Sequence, residues 1–299
     1  MTMRAAVEVV FTLALSTIAA IGCSTDDGDD DSSTSSEPGD DDATADDDSD
    51  DDTADDDAPD TWRLGDPVTV VPSGGLPDEV ELQDANNNLD VVRHDGRVYL
   101  AWRTAPTHFA SDRVVVWIVS SEDQENWDFE ARFDYDTDLR ETRLLSFDGR
   151  LFLYFALLGT DPFDFEPGGM MVTERVGAGD WTEPEEFYEP DEGFIPWRTK
   201  AVDGIPYMLT YVGGGSIYDF SGDPIKVHWL TTEDGRTWTP VVPGEPVVLE
   251  GGSSETDFAI LDDRTIIAVS RVEAADPMGW GSKICRAEAD APGDWQCVI

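Results

Sequence analysis

A two-part landmark recurs along this chain at intervals of about 55 residues, within the range that marks propellers and arrays. The first part is a turn followed by alternating apolar residues. It appears as His94-Asp95-Gly96-Arg97-Val98-Tyr99-Leu100, as Phe147-Asp148-Gly149-Arg150-Leu151-Phe152-Leu153 and as Val202-Asp203-Gly204-Ile205-Pro206-Tyr207-Met208. A fourth copy, Asp262-Asp263-Arg264-Thr265-Ile266-Ile267, has lost the glycine. Asp-Gly signals a tight hairpin because glycine accepts positive φ, and the β-branched and aromatic residues that follow favour a pleated strand. The second part is a tryptophan opening the last strand of each unit: Trp127, Trp181, Trp238 and Trp295, with Trp62 as a solitary copy ahead of the first. Each unit thus reads as four antiparallel strands, the content of one propeller blade. Sustained 3.6-residue periodicity is absent, so helices should be scarce. The expected fold is all-β: four recognisable four-stranded blades plus an N-terminal strand from Trp62 to Val71. That strand either joins blade four or leaves the ring incomplete, as in a truncated five- or six-bladed propeller.

The repeats occupy residues 61–299. What precedes them has another character. Met1 to Gly22 holds one basic residue, Arg4, and an apolar run from Val9 to Ile21 that is too short to span a bilayer, as expected of a signal peptide. Its end, Ala20-Ile21-Gly22-Cys23, resembles a bacterial lipobox, which implies a diacylglycerol on Cys23. Acyl chains anchor by burial of methylenes. Ser24 stands where a retention signal for the inner membrane often shows Asp, so the expected location is the cell envelope, at the outer membrane or cell surface. Residues 24–60 hold 18 Asp and one Glu with no Lys or Arg, and no aromatic or large aliphatic residue. Such a segment cannot offset its ordering entropy and its charges repel, so 23–60 reads as a lipidated cysteine and an extended tether. Unspecific divalent binding is the alternative, although the carboxylate spacing of a calcium loop is missing.

The net charge is −46, of which the tether carries 19 negative charges, so the repeats are acidic as well. Long-range repulsion excludes nucleic acid as a partner and leaves the lipid anchor as the membrane contact. Cys285 and Cys297 flank the turn Asp290–Asp294 on two expected strands, and in an oxidising compartment they should form a disulfide. His94, His108 and His228 are isolated, so neither a metal nor another cofactor is expected, and the chain is expected to act as a monomer.

Thr231-Thr232-Glu233-Asp234-Gly235-Arg236-Thr237-Trp238 resembles the Asp-box of sialidases and related propellers, Ser/Thr-x-Asp-x-Gly-x-Thr-Trp. In that register Thr231 and Glu233 take the hydroxyl and acid positions, with Gly235 and Trp238 following; Ser120–Trp127 is a worn copy. The motif is structural and speaks for the fold, not for catalysis.

Propeller sites form on the axis, where innermost strands present polar groups. The candidates are Asn87, Asn88 and Asp90 in blade one, and Arg140, Glu141 and Arg143 in blade two. Blade three offers Trp197, Arg198 and Lys200, and blade four Glu255 and Asp257. They read either as a ring of salt bridges filling the channel or as a binding site. Ser254–Arg271 resembles a segment of the sialidase superfamily in which a Glu precedes an Asp-containing turn and an Arg closes the next strand. Carried over, Glu255 is the base that activates a tyrosine nucleophile and Arg271 a carboxylate clamp, with Arg143, Arg198, Trp197 and Asp257 around the ligand. The chain departs from the family in lacking a Phe-Arg-Ile-Pro motif, and 28 residues after Arg271 leave no room for the nucleophile and third clamp. The expected function is therefore a surface-anchored, non-catalytic propeller binding a glycan or another cell-surface ligand. The alternatives are an exo-glycosidase of sialidase type and a five-bladed, furanosidase-like hydrolase using Asp90, Glu141 and Glu255.

Overall fold

Each blade starts at the axis with a strand that carries polar or charged residues and turns back into the next strand, through an Asp-Gly hairpin in three of the four blades. In a computed structural model, which describes residues 65–164, 166–190, 192–213, 224–273, 276 and 280–298, those strands build four antiparallel sheets and no helix among the described residues. Blade one comprises β1 (Ala85–His94), β2 (Arg97–Ala105), β3 (Val115–Ser121) and β4 (Asp128–Phe133). Blade two comprises β5 (Asp138–Phe147), β6 (Arg150–Leu158), β7 (Pro167–Gly177) and two short outer pieces, β8 (Asp180–Trp181) and β9 (Glu185–Glu186), which both pair with β7. Blade three has β10 (Ile195–Val202), β11 (Ile205–Val212) and β12 (Ile225–Thr232), with the outer strand again split, into β13 (Trp238–Pro240) and β14 (Val247–Gly251). Blade four has β15 (Ser253–Ile260), β16 (Ile266–Val272), β17 (Gly281–Ala287) and β18 (Gln296–Val298). The four sheets are the blades of a β-propeller.

The chain divides into two units, Met1–Val68 and Thr69–Ile299. Of the first, only Gly65–Val68 is described, exposed and without a strand. The signal segment, Cys23, the acidic tether and Trp62 lie outside the described residues.

Both hairpin residues take positive φ in three blades: Asp95 and Gly96 (46° and 82°), Asp148 and Gly149 (48° and 69°), and Asp203 and Gly204 (52° and 78°). This is the mirror-image turn that matches strand twist. Blade four, without its glycine, needs a wider loop in which Arg264 takes the left-handed position at φ 69°. Arg264 then reaches blade three, pairing with Asp203 at 3.0 Å and bonding the Tyr207 hydroxyl.

Apolar clusters join blade one to two, two to three, and three to four. The tryptophans occupy equivalent places on the leading side of their blades. Trp181 packs into the interface of blades one and two, Trp238 into that of two and three, and Trp295 into that of three and four. Among the described residues no blade packs against this side of blade one, and residues of 70–82 cover it. Val70, Val71, Leu76, Val80 and Leu82 cover Trp102, Trp117 and Trp127, and the Trp127 amide donates to Gly75 O at 2.9 Å. A Cβ on Gly75 would stand 1.9 Å from Glu125 O, so this close approach needs a glycine. The N-terminal strand therefore requires correction. Gly65–Val71 forms no strand, and Val70 and Val71 sit against blade one, not blade four, because Trp127 leaves apolar surface there to bury. On blade four the face away from blade three carries Val269, Ile284 and Val298 in one cross-strand row, all exposed.

Cys285 and Cys297 face each other across β17 and β18 and are disulfide-bonded. The turn before Trp238 also differs from its expected register. Thr232 Oγ1 accepts from the Asp234 and Gly235 amides and donates to Thr237 O, while Asp234 Oδ1 accepts from the Arg236 and Thr237 amides. Glu233 is exposed, and Thr231 Oγ1 instead donates to Pro206 O. The hydroxyl and acid roles thus belong to Thr232 and Asp234, because alternation along β12 turns Thr232 toward the turn interior and Thr231 away from it. Ser121 and Asp123 make the same bonds ahead of Trp127, with Gln124 in the left-handed position at φ 65°. Gly235 has no such freedom, because a Cβ there would come within 2.4 Å of the Phe152 ring of blade two.

Candidate functional site at the loop end of the channel

The two ends of the axial channel are built from different connections. Tight hairpins close one end. At the other, where β1, β5, β10 and β15 begin, lie the ends of β2, β6, β11 and β16, as the pairing of Ala85 with Ala105 and of Ser253 with Val272 shows. With them lie the described residues 106–114 and 159–164, which follow β2 and β6, and Trp280 just ahead of β17. Every innermost strand carries a bulge at this end: Asn87/Asp90, Arg140/Arg143, Pro196/Arg198 and Ser253/Thr256. Bulges re-aim side chains and interrupt pairing, and they gather at barrel rims and beside sites.

In two bulges the extra residue is left-handed, Asn88 at φ 49° and Glu141 at φ 54°. Asparagine tolerates this region, but for glutamate it costs roughly 1–2 kcal/mol. The strain is held by specific bonds. Asn88 Nδ2 donates to Glu141 Oε1 at 2.7 Å, Thr142 Oγ1 donates to Asn88 O, and Arg143 Nη2 reaches Glu141 Oε2 at 3.2 Å. Observed strain of this kind at a channel mouth is a pointer to function.

Arg143 is almost fully buried. Its Nε donates to Trp197 O, its Nη1 donates to Thr142 O at 2.7 Å, and its guanidinium lies 4.8 Å from the Trp197 ring centre. That cation–π contact occupies one face of the half-buried Trp197 ring. From blade four, Arg271 Nη1 donates to Glu255 Oε1 at 2.8 Å and its Nε pairs with Glu273 Oε1 at 3.0 Å. Ser254 Oγ fixes the same Glu273 oxygen at 2.7 Å.

Burial is the main reason the Glu255 carboxyl is pushed up to about 7. Arg271 opposes the rise, and the nearby charges of Glu141 and Glu273 add to it. Burial also raises Glu141 and Asp90, each against the field of Arg143. The mouth therefore holds carboxyls whose protons come off later than usual, the pattern associated with functional sites.

Deeper in the channel, Arg198 stands between two acids, 3.7 Å from Asp90 and 3.2 Å from Asp257, and Lys200 Nζ pairs with Asp257 at 2.5 Å. Asp90 Oδ2 also accepts from the Leu144 amide at 2.9 Å. Asp90, Arg198 and Lys200, with Arg93, Ser146 and Thr199, border a cavity of about 420 Å³ between the inner strands of blades one to three. Beside the mouth, buried Arg103 bonds Asp138 at 2.9 Å and the carbonyls of Thr107 and Phe109, which pins connection 106–114 to blade two. Asp138 also accepts from Arg140 Nε at 2.6 Å, and Asn87 Nδ2 meets His108 Nδ1 at 3.0 Å.

The nominated side chains thus fall into two neighbouring groups. Glu255, Arg271 and Glu141 stand at the mouth with Arg143 and Trp197 behind them, while Arg198, Lys200, Asp90 and Asp257 stand within the channel. Arg271, carried over as a carboxylate clamp, and the ligand-binding candidates Arg143 and Arg198 each already hold an acid of this chain. Glu273, Asp138 and Arg103 escaped sequence reading. Asp138 lies two residues before Arg140, the spacing that puts both on one face of β5, and Glu273 lies just past the end of β16, two residues beyond Arg271. Among the described residues no group of three or more His, Cys, Asp or Glu is arranged to hold a metal ion.

No protein-family model matches this chain, and no curated protein matches it. Solved structures share its fold. A protein of unknown function from Dyadobacter fermentans aligns at 16% identity and a TM-score of 0.53, over 71% of this chain and 67% of that one. The Trypanosoma rangeli sialidase bound to the inhibitor DANA aligns at 13% identity and a TM-score of 0.51, over 72% of this chain. This chain spans 38% of that sialidase's length. A family 117 glycoside hydrolase from Zobellia galactanivorans aligns at 12% identity and a TM-score of 0.47, over 72% of this chain and 69% of that one.

Proposed function

We propose that this chain is a carbohydrate-binding propeller, held outside the cell by a lipid on Cys23 and lifted from the membrane by its acidic tether, and that it binds an uncharged sugar at the loop end of the channel. One observation carries the choice of an uncharged ligand: the arginines at the mouth already hold acids of the protein, Arg143 holding Glu141 and Arg271 holding Glu273 and Glu255. A sialic-acid carboxylate would have to displace these partners. A neutral polyol would meet the solvent-exposed edges of the same pairs without displacing either partner, and bonds to charged groups are the stronger ones. The Asp-box-like turns before Trp127 and Trp238 serve this reading as scaffold only.

A second reading is favoured by one specific feature. Burial raises the Glu255 carboxyl to about 7 with the Glu141 carboxyl near it, and glycoside hydrolysis uses a carboxylic acid of raised pKa together with a second carboxyl group. Calorimetric titration with neutral and sialylated oligosaccharides, together with a reducing-sugar assay on the same glycans, decides between the two. The binding reading expects heat with neutral glycans, no release of reducing ends, and at least tenfold weaker binding in Arg271→Ala. Turnover abolished by Glu255→Gln would replace it with the hydrolytic reading, and binding confined to sialylated glycans would overturn the neutral-ligand choice.

A further inference from the structure

Exposed aromatic rings are unevenly placed on this propeller. Five aromatic side chains are among the large exposed hydrophobic residues described, and four of them stand on connections at the loop end. Phe109 (60% exposed) lies between β2 and β3, Phe163 (96%) follows β6, Trp280 (63%) immediately precedes β17, and Tyr135 (43%) lies on the crossing from β4 to β5. The fifth, Phe129, sits on strand β4 against Trp117. The exposed apolar residues of the hairpin end, Val176, Ile205 and Leu261, are aliphatic.

These rings are presented, not stranded. The Phe109 carbonyl is held by Arg103, so its loop is tied to a buried ion pair. Phe163 is lifted by a turn in which its amide donates to Asp161 Oδ1 at 2.9 Å, while Gly159 N donates to Glu166 O at the base of the connection. Trp280 adjoins Gly281, the start of β17, one position from the pairing of Arg271 with Ser282. Tyr135 stacks on Phe155. The rings come from three of the four blades, all at the end of the strands where the mouth lies.

Exposing an aromatic ring to water is unfavourable, and exposed apolar surface gathered at one place marks an interaction site. A ring offers a flat apolar face without a charge requirement. The apolar C–H face of a pyranose or furanose is its natural complement, and its hydroxyls are left for the polar pairs at the centre. We infer that the aromatic rim binds an extended chain of neutral sugar units, so that the ligand of this propeller is a polysaccharide passing over the mouth and not a single terminal residue. This rests on the carbohydrate reading above and adds the size of the ligand to it. Acidic repeats disfavour an anionic polymer or an anionic lipid surface as the occupant.

The test uses the full chain in native gels containing arabinan, xylan, galactan or a β-1,3-glucan, where its negative charge drives migration. Calorimetry then follows with one- to six-unit oligosaccharides of whichever polymer retards it. Wild type is expected to bind six units at least tenfold more tightly than two. The double variant Phe163→Ala/Trp280→Ala is expected to lose that tenfold advantage, about 1.4 kcal/mol, while keeping its affinity for two units and its melting temperature. Affinity independent of length, or a double variant that binds six units as wild type does, overturns the rim and leaves the carbohydrate reading standing. No retardation by any of the polymers overturns both, as does binding only to phosphatidylglycerol vesicles.

Discussion

Asp138 and Glu255 are both acids on innermost strands, both pair with arginine, and both are raised by burial, yet they serve opposite ends. Asp138 is fully enclosed and shares its two oxygens between Arg103 and Arg140, leaving nothing for a ligand. Glu255 keeps about a quarter of its side chain open to solvent, and its partner Arg271 is opener still. The first assembly locks the loop between β2 and β3 onto blade two. The second offers polar atoms at a mouth. Pairing alone therefore does not separate scaffold from site; what separates them is whether the shared atoms are all used and where solvent reaches.

The largest way to break this contrast is Asp138→Ala. It leaves Arg103 buried without its carboxylate, and losing one partner of a buried pair costs about 3–5 kcal/mol. Urea unfolding should show that loss at neutral pH, and a midpoint unchanged within error would place Asp138 among the dispensable groups. Glu255 predicts a smaller effect with a distinct pH signature. Its carboxyl is raised to about 7 in the fold, so unfolding releases a proton between its ordinary pKa and that value. The stabilising excess of the protonated form is complete below about pH 4.5 and is lost as pH rises through about 7, by on the order of 2–3 kcal/mol. Unfolding midpoints of wild type should fall across that window, and those of Glu255→Gln should be flatter. Identical pH slopes would contradict the burial of this carboxyl.

The smallest effect belongs to an acid that serves only its own turn. Asp234, lowered to about 2 by amide and hydroxyl bonds within the turn, though burial opposes them, should cost about 1 kcal/mol when changed to Ala, with sugar binding unchanged. A binding loss in that variant would move the site away from the loop end.

How far the sequence carries differs along the same lines. The repeat of Asp-Gly turns and tryptophans was legible as four blades, because hairpin chemistry and strand alternation are local. Trp127, Trp181, Trp238 and Trp295 were legible as repeat marks, but what covers Trp127 was not, since residues 70–82 have no strand pattern and act through tertiary burial. The turn at Thr231–Trp238 was legible as a motif, yet its working residues are Thr232 and Asp234, one position on from the family register. Arg143, Arg198 and Glu255 could be nominated for the axis from their strands, and Arg271 only through the family resemblance. That each arginine holds an acid, and that bulges at Asn88 and Glu141 turn the mouth's side chains, depends on contacts between blades that no single strand encodes.

The central claim is that a neutral sugar sits at the loop end of the channel, and a crystal structure with a bound neutral oligosaccharide tests it most directly. Sugar density within hydrogen-bond distance of Glu255, Arg271 or Glu141, with a unit against Phe163 or Trp280, is the predicted result. Sugar bound at the hairpin end or on the exposed row of Val269, Ile284 and Val298, with the mouth empty, would contradict it.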